Sequence, residues 1–154
     1  MHTIKDNPIL KREIMMDHYE SPRNFQLSND SFYRQIHVYS QSCQDDIHLQ
    51  ILINKDIIED VRFEGKACVI ATAATSIMTE LIKGCSIKQA NEIIENYFAM
   101  INQKEYDENL LKEAVALETI GKQTNRISCA TLSWNGLKEL LNENEKNQSE
   151  SNKN

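Results

Sequence analysis

Four side chains in this sequence could act together chemically: Cys43, Asp45, Cys68 and Cys129. Thiolates bind soft and borderline metals and also attack sulfur, so three cysteines gathered in one place point to metal binding, sulfur chemistry or both. A carboxylate such as Asp45 can complete a tetrahedral zinc site. The intervals, 25 residues from Cys43 to Cys68 and 61 from Cys68 to Cys129, match no short zinc-finger pattern. Cys68 and Cys129 could equally be small core residues, and Asp45 a solvated turn former. The case rests on whether the fold brings the four together.

The fourth cysteine, Cys85, follows Gly84 and precedes Ser86, at the far end of the helix that Cys68 opens, and is expected to be a bystander. Among the four histidines, His48 is the candidate for an extra ligand, being near Asp45 but on the strand face opposite Ile47 and Leu49. His18 is expected to pack.

The elements that must position these residues are legible in the spacing. Ile47, Leu49, Ile51 and Ile53 alternate with polar residues, and after the turn at Asn54-Lys55-Asp56 the parity resumes at Ile57, Val61 and Phe63. With the weaker alternation around Ile36 and Val38 this predicts an antiparallel three-stranded meander. Strands this short can return the third strand's end to the first loop, placing Cys68 beside Cys43 and Asp45.

The remainder reads as helix. Rows at i+4 predict one from Pro8 to Glu20, ending before Ser21-Pro22. Ile70, Ala74, Ile77, Met78, Leu81 and Ile82 form a stripe that stops at Gly84, with Cys68 at its entrance. Ser86 and Gln89 spell a capping box ahead of Ala90, Ile93, Ile94, Tyr97, Phe98 and Ile101. A further helix is expected from about Asp107 through Val115, then an irregular stretch from Gly121 to Asn125. A last helix presents Ala130, Trp134, Leu137 and Leu141. Cys68 and Cys129 thus stand at helix entrances, where free amides and the helix dipole favour a thiolate.

The fold class predicted is α+β, a small antiparallel three-stranded sheet packed against several helices. The 154 residues, 40% hydrophobic and 26% charged, suit a single domain over 1–141. Residues 142–154, NENEKNQSESNKN, contain no apolar side chain and are expected to be a disordered tail.

A net charge of −6 and a pI near 5.2 argue against nucleic-acid binding and for protein or small-ligand partners. No apolar run approaches the roughly 18–20 residues of a membrane span, and the start MHTIKDNPILKRE lacks the apolar stretch of a signal peptide. The expected location is the cytoplasm, where a reducing environment favours metal or catalytic roles for cysteine over disulfides.

Beyond spacing, HYESPRN, the C-x-D of Cys43-Gln44-Asp45, FEGKACVIATAATSIMT around Cys68 and RISCATLSW around Cys129 resemble the IscU/NifU N-terminal family of iron–sulfur cluster assembly proteins, over about residues 14–141. Residues 104–126 look like the insertion of its SufU-type branch. The resemblance implies an α/β sandwich with zinc on Cys43, Asp45, Cys68 and Cys129. It also implies that Cys43 accepts persulfide sulfur from a SufS-type cysteine desulfurase, for use by downstream iron–sulfur assembly proteins. Arg126 matches a family arginine beside the site and would steer the persulfide.

Two alternatives share these residues: a scaffold on which the cysteines hold iron or a [2Fe–2S] cluster, and a structural zinc or protein-interaction module that transfers nothing. Ser128, where the IscU branch has a histidine before its third cysteine, and the absence of an LPPVK motif favour the carrier. Gln44 and Ala67 stand where the family has glycines, and Ser40-Gln41 where it has Asn-Pro. If those glycines use φ > 0, the loop geometry is expected to shift.

Overall fold

A computed structural model describes residues 3–41 and 44–152, with side chains as far as residue 142. Alternation in the sequence becomes alternation in burial. In β2, Asp45–Asn54, Ile47, Leu49 and Ile51 lie in the core while Asp46 is exposed and His48 half-exposed. Strand β1, Arg34–Ser40, pairs antiparallel with β2, and β2 pairs antiparallel with β3, Ile57–Lys66, in the order β1-β2-β3. The meander is as expected.

Helix α1, Pro8–Glu20, starts at Asn7, whose side chain accepts from the Leu10 amide, with proline at its first position. Helix α2, Val69–Ile82, lies against β3; α3, Ile87–Ile101, begins with the Ser86–Gln89 capping box, both of its hydrogen bonds made. Helix α5, Ile127–Asn152, lies across β1 and β2. A Cβ at Gly136 would meet Val38 Cγ1 at 2.9 Å, so glycine there lets α5 settle close to the sheet. The core of Leu49, Ile51, Phe63, Ile77, Tyr97 and Trp134 is thus closed between sheet and helices.

Two stretches differ from the expectation. The helix beginning near Asp107 is a single α-turn, α4, Glu108–Leu111, followed by 3₁₀ turns over Lys112–Lys122. Lys112 takes φ +46°, outside the right-handed helical region, so the α-helix cannot continue through it. The backbone of α5 runs as helix through Asn152, whereas the polar composition predicts disorder from residue 142. That stretch has no Gly or Pro to end a helix, and Glu143, Glu145 and Lys146 are good helix formers set among weaker asparagines. Among the described residues no helix is long and apolar enough to cross a membrane.

Candidate metal centre

Asp45 is the first residue of β2 and shares the inward face of Ile47 and Leu49, which leaves it only 1% exposed. The pairing of Asp46 with Lys66 brings the end of β3 beside the start of β2. Gly65 permits this: its φ is +138°, and a Cβ there would lie 2.0 Å from the Asp46 carbonyl oxygen. Two residues beyond the strand, the Cys68 amide donates to Asp45 Oδ1 at 2.8 Å.

Cys68 is the N-cap of α2, its Sγ accepting from the Ala71 amide at 3.4 Å and lying 3.8 Å from Asp45 Oδ2. Cys129 lies in the first turn of α5 and is 1% exposed. One ligand atom from each of Asp45, Cys68 and Cys129 falls within 4.8 Å of the others. Three of the four residues singled out by type therefore meet. Cys43 lies outside the described residues.

The arrangement fits a cation. A buried carboxylate is costly without a compensating charge, and among the described residues no Lys, Arg or His forms an ion pair with Asp45. Two sulfurs and a carboxylate are the donors that zinc and iron accept.

The loop before Asp45 keeps the backbone that a glycine would favour. Gln44 takes φ +55°, a left-handed residue that is not glycine, at a cost of about 1 kcal/mol or somewhat more. Ala67 has no positive φ, so a glycine there is not needed for conformation.

The remaining sites expected from sequence separate cleanly. Arg126 is exposed in the turn before α5, one helical turn ahead of Cys129, its amide donating to the Gln123 carbonyl at 2.8 Å. Cys85 sits past the far end of α2, donating to the Leu81 carbonyl at 3.3 Å; burial pushes its thiol up despite the opposing charge of Lys112. His48 points away from the cysteines, on the outer face with His37 and Asp46. His18 is buried, 2.7 Å from Ser76 Oγ.

That last contact gives HYESPRN a physical role. His18 and the Arg23 amide both meet Ser76 Oγ, and Asn24 Nδ2 donates to Thr79 Oγ1 at 2.9 Å. The motif clamps the end of α1 onto α2, the helix that Cys68 caps. Residue types do not foreshadow the Cys68 amide as a partner of Asp45, because every residue except proline carries the same donor.

The family model described as NifU-like N terminal domain matches residues 10–148. The Bacillus subtilis (strain 168) protein named zinc-dependent sulfurtransferase SufU is 40% identical over 129 residues, 83% of this chain and 86% of that protein. The iron–sulfur cluster assembly scaffold protein IscU of Streptococcus pyogenes serotype M1 is 35% identical over 107 residues, 69% of this chain and 67% of its own. Among solved structures, FiSufU from Fervidobacterium islandicum AW-1 superposes with a TM-score of 0.76 at 31% identity, covering 84% of this chain and 94% of that one. A nitrogen-fixing NifU-like protein (N-terminal) from Brucella abortus, 13% identical, shares the fold with a TM-score of 0.76 over 91% of this chain and 99% of its own.

Proposed function

Since this chain belongs to the family of NifU-like N-terminal domains, we propose that it serves iron–sulfur cluster assembly as a zinc-dependent sulfur carrier. In this reading it takes persulfide sulfur from a SufS-type cysteine desulfurase in the cytoplasm and passes it to downstream assembly proteins. The observation that carries the reading is the convergence of Asp45, Cys68 and Cys129 within 4.8 Å, at a buried carboxylate with no cationic side-chain partner among the described residues. The name of the B. subtilis relative supports zinc and sulfur transfer together.

Cys43, Asp45, Cys68 and Cys129 would hold the zinc, which when bound keeps its cysteine ligands deprotonated near neutral pH. The transfer itself is a thiol exchange. The Cys43 thiolate attacks the outer sulfur of the desulfurase persulfide; the donor S–S bond breaks, the donor cysteine leaves as thiolate, and Cys43 becomes the persulfide. Cys129 is buried and Cys68 is tied to its helix by the Ala71 amide, so neither matches an acceptor that a partner must reach. Arg126, exposed and one turn from Cys129, offers N–H donors and positive charge to the persulfide anion.

A second reading, supported by the name of the S. pyogenes relative, makes the same cysteines the holders of a nascent [2Fe–2S] cluster as cargo. One experiment separates them: zinc-loaded protein is incubated with desulfurase and cysteine, then mapped by mass spectrometry. The carrier reading expects one added sulfur on Cys43, none in Cys43→Ser, and zinc retained. Sulfur acceptance that needs iron, with zinc lost as iron and sulfide enter together, would favour the scaffold. A chain that accepts nothing would be a structural zinc module.

A further inference from the structure

We propose that His37, Asp46 and His48 form a second metal site, on the outer face of the sheet, for a first-row divalent cation of the kind that imidazole binds, such as Zn²⁺, Co²⁺ or Ni²⁺. The inference is independent of what the cysteines do. His37 in β1 stands directly across from His48 in β2, and Asp46, two residues before His48, projects from the same face. His37 Nε2 lies 2.8 Å from Asp46 Oδ1 and His48 Nε2 lies 4.0 Å from it. The two imidazoles are stacked, centroids 4.3 Å apart and planes 9° apart, and all three ligand atoms fall within 4.8 Å of one another.

Two imidazoles and a carboxylate are a common ligand set for these cations, and three protein ligands leave positions for water or an incoming ligand. The ligands sit on paired strands whose register is held by the burial of Ile47 and Leu49, so the backbone is already ordered, while the stacked imidazoles, whose lone pairs lie in nearly parallel planes, must rotate to converge on one ion. His48 Nδ1 faces the Gln35 amide nitrogen, a donor, at 3.4 Å, so a metal on His48 Nε2, which places the ring proton on Nδ1, requires the Gln35 amide to turn its oxygen toward the ring. Across β3, Glu64 pairs with His48 and Lys66 with Asp46, both exposed, and their charges offset.

The same sheet face is covered at its other end. Gln50 exchanges hydrogen bonds with Ser28, Arg62 donates to the Gln26 carbonyl and Tyr33 to Asp60, while His37 and Asp46 remain exposed. Because side chains alternate along a strand, Asp45 and Asp46 leave β2 on opposite faces, and the two centres lie back to back across it.

The test is a Co²⁺ titration of the zinc-loaded full chain, followed by NMR of the histidine ring protons and by absorption. The result expected is one further ion per chain, paramagnetic shifts on His37 and His48 together, and no sulfur-to-cobalt charge-transfer band. His48→Gln and Asp46→Asn should each weaken binding by at least ~10–100-fold, the cost of losing even a group that only orients a ligand, with unchanged Trp134 fluorescence melts showing that the fold is intact. Equal affinity in wild type and both variants, shifts that omit either ring, or a response confined to sulfur-to-cobalt absorption would overturn the proposal.

Discussion

Thr75 Oγ1 and Ser133 Oγ lie 2.5 Å apart in the core, joining the helix that Cys68 caps to the helix that carries Cys129. Thr75 already donates to the Ala71 carbonyl at 2.7 Å, so the proton between the two hydroxyls belongs to Ser133. Thr75→Val takes the acceptor from the buried Ser133 hydroxyl and should cost about 1–3 kcal/mol, Ser133→Ala leaves Thr75 still bonded to the Ala71 carbonyl and should cost only about 0.5–1.5 kcal/mol, and the double variant should cost less than the two added together. Urea unfolding followed by fluorescence of Trp134, the single tryptophan, reads all three.

Stripping the metal should lower stability, because an ion bound only by the folded state adds to its folding free energy. Elemental analysis after exhaustive dialysis should find one tightly held zinc per chain at the cysteines, lost in Cys68→Ala and Cys129→Ala but kept in Cys85→Ser, because the Cys85 thiol hydrogen-bonds at the far end of α2. Zinc lost from Cys85→Ser would contradict the site as described.

Asp45 has two separable tasks, and two variants divide them. Asn keeps an oxygen for the Cys68 amide but removes the charge; Ala removes both. In metal-free protein Asp45→Ala should be less stable than Asp45→Asn by about 1–3 kcal/mol, the cost of an unpaired buried donor. Identical chelated-state denaturation curves would show the 2.8 Å contact to be energetically idle.

Stability should fall at both pH extremes for nameable reasons. Burial pushes the Tyr97 phenol far above its ordinary value, so its contribution is complete below about pH 10 and declines as pH rises beyond it. Tyr106 shifts the same way, through burial and then its hydrogen bond to Glu118. At the acid end, burial alone would raise Asp60, but hydrogen bonds from Tyr33 and Arg62 and the charges of Arg62 and Lys83 outweigh it and hold it low. Its contribution is present above about pH 4 and lost as pH falls. Tyr97→Phe, which also loses the 2.6 Å bond to the Ala130 carbonyl, should be about 1 kcal/mol less stable near pH 7 yet fall less steeply above pH ~10. Asp60→Asn should flatten the acid limb. Denaturation curves from pH 3 to 11, as an approximate range set by these groups, check both.

Arg126→Ala should slow sulfur acceptance while leaving zinc content unchanged, since guanidinium has no lone pair to give a metal. Arg126→Lys should restore part of the rate through charge alone. Single-turnover transfer and elemental analysis on the same samples separate the two effects; zinc loss in Arg126→Ala would mean the residue supports the ligands instead.

Periodic elements were legible because burial imposes a period. The alternation from Ile47 to Ile53 located β2 and its inward face, and Asp45 follows by parity. The stretch over Lys112–Lys122 was not, because Leu110, Leu111, Ala114 and Val115 have helical spacing and nothing in their types announces φ +46° at Lys112. Residues 24–33 look aperiodic, yet they fold back through Ser28 to Gln50 and Tyr33 to Asp60, pairwise contacts that leave no period behind. In the candidate site, residue types pointed to Asp45, Cys68 and Cys129, which the fold brings together, whereas the Cys68 amide and the facing of His37 with His48 depend on backbone and register.

The β1–β2 ladder closes at the pair Ser40 and Asp45. An insertion between those two residues changes no pairing downstream, so every ligand on β2 keeps its side of the sheet. A single deletion between Asp45 and Asn54 would instead turn part of the strand over, exchanging buried for exposed positions. Divergence among descendants of this chain is therefore channelled: the ladder leaves the length of residues 41–44 open, so Cys43 is held there by its proposed chemistry and not by strand pairing, while the strand beside it tolerates substitution only one face at a time.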